Sequence, residues 1–69
     1  MMRVHEGRYA YELKRIRNQQ TQLWGGWEFK VFQVKPDEKL LFIGQRKERE
    51  HAEKEAQQVI DLLKVKLAA

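Results

Sequence analysis

Trp27-Glu28-Phe29-Lys30-Val31-Phe32-Gln33-Val34 runs into Lys35-Pro36-Asp37-Glu38 and then into Lys39-Leu40-Leu41-Phe42-Ile43-Gly44-Gln45. The first run has the aromatic and β-branched content of a strand, and its side chains alternate in character. The second has the composition of a tight turn, with Pro presetting φ at its second position and Asp suited to the third. The third run is again apolar and strand-like. Two strands joined by so short a link favour an antiparallel hairpin.

Working outward, residues 9–17 read as another strand, with Tyr9, Tyr11, Leu13 and Ile16 set among Glu12, Lys14, Arg15 and Arg17. Residues 18–26 form a polar loop closed by Gly25-Gly26, and residues 1–8 read as a loose lead-in. After residue 48 the period changes. Ala52, Ala56, Val59, Ile60, Leu63 and Leu67 mark one apolar stripe on an α-helix over 48–67. Glu48 and Glu50 at its start and Lys64 and Lys66 at its end suit the helix dipole. The expected fold is α+β: a three-stranded antiparallel meander, in order 1-2-3, with one C-terminal helix packed on one face. No repeat or linker divides the 69 residues, so the chain is expected to be one domain.

Packed this way, the inner face would carry Tyr9, Tyr11, Leu13, Trp27, Phe29, Val31, Leu40 and Phe42. The outer face would carry Ala10, Lys14, Ile16, Lys30, Phe32, Val34, Leu41 and Ile43. Register follows from the links. Across the 35–38 turn Val34 should face Lys39, Phe32 Leu41, Lys30 Ile43 and Phe29 Gly44. Across the longer loop Lys14 should face Lys30, and Leu13 Val31. A slip of one residue would exchange the two faces. The like-charged pair Lys14 and Lys30 would be unfavourable unless an anion relieved it.

Charge is unevenly spread. Residues 1–35 hold seven Lys/Arg against three acids, and residues 36–69 hold seven of each sign, so the net charge of +4 comes from the half that reads as sheet. A basic surface interleaved with aromatic residues is a candidate for an anionic partner. Lys14, Arg15, Arg17 and Lys30 could contact phosphates, and Gln20 and Gln22 could make polar loop contacts. Trp24 could stack on a base, or it could cap one end of the core. DNA or RNA is therefore one expected partner. The other is a protein, with a homodimer as a variant. It would use the apolar surface of Phe32, Val34, Leu41 and Ile43 and the edge of the 39–45 strand.

The topology resembles the small DNA-reading domains of certain plant transcription factors and the arm-binding domains of phage integrases, which lay a three-stranded sheet in the major groove. Tyr11, Lys14, Arg15, Arg17, Trp27 and Lys30 are compatible with that use. The characteristic motifs of those families are absent, so the likeness implies no membership.

Catalysis is not expected. There is no Ser or Cys, and the only Thr is Thr21, so no nucleophile–base arrangement can be assembled. His5 and His51 lack metal-ligand spacing, and His51 reads as a surface residue. Gly25-Gly26 is no phosphate loop, because no strand-to-helix turn or Gly-Lys-Ser/Thr follows it. No cofactor or metal is expected. The lack of cysteine suits a reducing cytoplasm. No apolar run approaches the roughly 18 residues of a membrane span, so a soluble cytoplasmic protein with no membrane partner is expected.

Overall fold

In the computed structural model of the chain, residues 2–17, 21 and 23–68 are described, with backbone alone for 2, 24, 67 and 68. Strands β1 (Met2–Glu6), β2 (Tyr9–Arg17), β3 (Trp24–Gln33) and β4 (Lys39–Arg46) precede one helix, α1 (Arg49–Ala68). All neighbours are antiparallel and the sheet order is β1-β2-β3-β4. The meander and the C-terminal helix are as the sequence implies.

The lead-in is not loose. Met2–Glu6 pairs with β2 from Met2↔Leu13 to Glu6↔Tyr9. Gly7 and Arg8 are the whole connection, and Gly7 takes φ +64°, the left-handed value a two-residue hairpin turn needs at its first position. Alternation in Met2-Arg3-Val4-His5-Glu6 followed by Gly is a hairpin signal, short enough to be read as irregular chain. A second difference lies at the other end of β2. Gly25 and Gly26 belong to β3, which begins at Trp24, so the loop is shorter than 18–26. Gly26 does have positive φ, +97°, and a β-carbon there would stand 3.0 Å from the carbonyl oxygen of Arg46.

One sheet face packs against the helix. Tyr9, Tyr11, Leu13, Phe29 and Val31 are buried against Ala52, Ala56 and Ile60, with Val4, Trp27, Val59 and Leu63 partly buried around them. The stripe from Ala52 to Leu63 forms the helix side of the core as its spacing implies. The two alanines at its start let the helix backbone come close to the sheet. Helix α1 lies chiefly over β3, with β2 and β4 to either side. Tyr11 ties the layers together: its hydroxyl donates to Glu53 Oε1 at 3.2 Å and accepts from Gln57 Nε2 at 3.5 Å. Lys64 reaches Glu6 of β1 at 3.8 Å near the far end of the helix. Lys35–Pro36, in the β3–β4 link, is a cis peptide.

Candidate interaction surfaces

Two registers decide what the exposed surfaces present. Between β2 and β3, Lys14 stands opposite Glu28 and Glu12 opposite Lys30, while Leu13 faces Phe29 and Tyr11 faces Val31. The expected Lys14–Lys30 and Leu13–Val31 pairings are therefore wrong by two residues. The cause is the extension of β3 back to Trp24, which shortens the loop and slides the pairing along. A two-residue slip preserves the faces, so the inner set survives while every cross-strand partner changes.

The outer face is consequently a checkerboard and not a basic field. Glu12, Lys14, Glu28 and Lys30 line one shallow hollow, with Lys30 Nζ 3.7 Å from Glu28 Oε1. Arg3 completes the array from β1. Its guanidinium donates to Glu12 at 2.7 Å and to Glu38 at 2.6 Å, and lies 4.7 Å from the centre of the Phe32 ring. These carboxylates hold Arg3 firmly protonated, its pKa raised by the hydrogen bonds to Glu38 and Glu12. No anion is needed to relieve the face. Phe32 and Val34, expected in an open apolar surface, are half-buried, and Ala10 is wholly buried. Arg3 escaped the sequence reading because β1 did, and the pairing of Glu12 and Glu28 with the lysines escaped it because the β2–β3 register was two residues off.

The basic side chains gather instead at one end of the sheet. Arg15 of β2, Trp27 of β3 and Arg46 of β4 form one cross-strand row, and Arg17 pairs with Trp24 beyond it. The β4–α1 junction adds Lys47 and Arg49, the latter 5.7 Å from the Trp27 ring centre. Acids enter here too, since Arg46 is hydrogen-bonded to Glu55 of the helix. Trp27 is thus a half-buried rim residue of the core. Gln20, Gln22 and the side chain of Trp24 lie outside the described residues.

Between β3 and β4 the register matches the expectation at Lys30↔Ile43 and Phe29↔Gly44, then shifts at Val31/Phe32. Phe32 meets Leu40 and not Leu41, and Gln33, not Val34, meets Lys39. The extra residue is a β-bulge. It carries Leu40 into register with Phe32, off the inner face assigned to it. Phe42 keeps its inner position and stacks on Phe29, ring centroids 5.7 Å apart and planes 22° from parallel.

The result is an edge strand with an apolar centre. Among the described residues β4 has no neighbour beyond it, and Leu40, Leu41, Phe42 and Ile43 are 49, 40, 43 and 50% exposed in succession. Lys39 and Arg46 close its two ends. The opposite edge, β1, is guarded by Arg3 and Glu6, and charged side chains on an edge discourage further pairing.

No known protein family, characterised protein or solved structure matches the chain. Among the described residues no helix is long and apolar enough to cross a membrane.

Proposed function

We propose that this domain is a non-enzymatic interaction module of the cytoplasm that binds protein by adding a strand to β4. The observation that carries the reading is the run of four exposed apolar residues, Leu40 to Ile43, on an edge that no described strand covers. Such an edge offers main-chain donors and acceptors for affinity, and alternate side chains for specificity. The lack of cysteine supports a reducing compartment. A photoreactive residue placed at position 43 of the chain in its native host tests the reading. A discrete crosslinked protein adduct is the expected result. Its absence, with adducts formed from positions 14 or 47 instead, would overturn it.

A second reading is favoured by the cationic end of the sheet, where Arg15, Arg17, Arg46, Lys47 and Arg49 converge around the Trp27 row. There the domain would hold nucleic acid, with Lys14 at the margin. Lys30 contributes less than its sequence position suggests, because it lies between Glu12 and Glu28. Phosphate binding by this end would weaken steeply with salt. An amide-resolved titration with short duplex DNA and single-stranded RNA at two salt concentrations separates the readings. Shifts at 15, 17 and 46–49 that persist at the higher salt favour nucleic acid, and no shifts there reject it.

A further inference from the structure

We propose that the strand added to β4 is β4 of a second copy of this chain, related by a two-fold axis beside Phe42. The proposal rests on the strand-addition reading above and names its occupant. The first argument is the asymmetry of the sheet edges. Only β4 presents an apolar run, whereas β1 carries Arg3 paired to Glu12 and Glu6 paired to Lys64. An assembly that can use one edge only must close at two copies, and a two-fold contact uses the same patch on both.

The second argument is register. A two-fold axis perpendicular to the sheet leaves both helices on one side, so residues that meet across the seam must come from the same face. Centring on Phe42 sets Phe42 opposite Phe42 and sets Leu41 opposite Ile43 twice. Lys30 fixes Ile43 on the outer face, and Leu41 is the residue the bulge leaves without a partner on β3. Every central pair is then apolar. The axis also brings Arg46 of each copy to the strand end where Glu38 of the other stands, and keeps Lys39 away from its own counterpart. Centring one strand pair further on would set Leu41 against Gln45 and Phe42 against Gly44, losing both matches.

The test is the mass of the purified full chain by sedimentation equilibrium across a concentration range, with and without added salt. The expected result is twice the 8.3 kDa chain mass, little changed by salt because the seam is apolar. Amides of β4 should gain protection from exchange as the dimer forms. Leu41→Lys and Ile43→Glu should each weaken dimerisation by about tenfold or more. Mixing the two variants should restore it, because the new Lys and Glu then stand opposite each other. Circular dichroism checks that each variant is folded. A wild-type chain that stays monomeric overturns the proposal, and so does a dimer whose β4 amides gain no protection. Failure of the mixture to restore the dimer overturns the register. If the position-43 crosslink joins a different protein while the purified chain is monomeric, the second copy is wrong and the strand-addition reading stands. If no adduct forms at all, both fall.

Discussion

Phe29 lays its ring over Gly44, its partner across the β3–β4 ladder: a β-carbon at 44 would lie 2.4 Å from Phe29 Cζ. The missing side chain is the space the ring occupies. Phe29 is fully buried and is also stacked on Phe42, so this one contact joins the core to the edge strand.

Gly44→Ala should therefore destabilise the domain by about 1–3 kcal/mol, the usual range for overpacking a filled site. Chemical denaturation measures it. Phe29→Leu/Gly44→Ala should cost less than the sum of the two single changes, because the smaller side chain vacates the place the methyl needs. Strict additivity would mean that the ring does not depend on the glycine.

Tyr11→Phe should cost about 0.5–1.5 kcal/mol, the net worth of a hydrogen bond, since Glu53 and Gln57 lose their shared partner on the sheet. Burial pushes the Tyr11 phenol above the ordinary tyrosine value of 10.0, and the neighbouring Glu53 carboxylate adds to the rise. The raised value favours the neutral phenol in the folded state. Its stabilising contribution is present below pH 10 and is lost as pH rises through the folded pKa. Alkaline absorbance titration of wild type against Tyr11→Phe should show one phenol ionising late. A spectrum in which the missing phenol titrates with an ordinary tyrosine pKa would refute this.

Arg3→Gln should loosen β1 first. Glu12 and Glu38 would lose their common cation, and the Phe32 ring its cover. Amides of residues 3–5 should exchange faster while those of β3 keep their protection. Uniform acceleration across the sheet would instead make Arg3 part of the global stability.

Ala56→Leu should disturb the contact between α1 and the sheet. Ala56 is completely buried between them, and no space is left for three further carbons. A loss of about 1–3 kcal/mol is expected, read as a lower thermal midpoint. The same change at exposed Gln58 should be nearly neutral.

Much of the fold was legible because periodicity is a local property. Tyr9–Arg17 matches the expected strand at both ends, and the switch to helical spacing near residue 48 marks the start of α1. The inner face was legible for the same reason, from Tyr9 through Val31. The hairpin partner of β2 was harder to see, because Met2–Glu6 is short and half-polar, and such a segment becomes a strand through its neighbour. The surfaces were less legible still. A cluster of cations in sequence is not a basic surface in space when Glu12 and Glu28 interleave with Lys14 and Lys30 across the strands.

By itself the sequence determined the order of three of the four strands and the helix, the burying of Tyr11, Phe29 and Val31 beneath Ala52, Ala56 and Ile60, and the apolar character of residues 40–43. Each follows from side-chain alternation or helical spacing along a continuous stretch of chain. Only the tertiary structure decided which charge meets which, where the bulge sets Leu40, and which edge of the sheet stays open. Those depend on register and strand order, and both are fixed by residues far apart in sequence packing against one another. A two-residue slide costs no change of face, so the pattern along any single strand cannot report it.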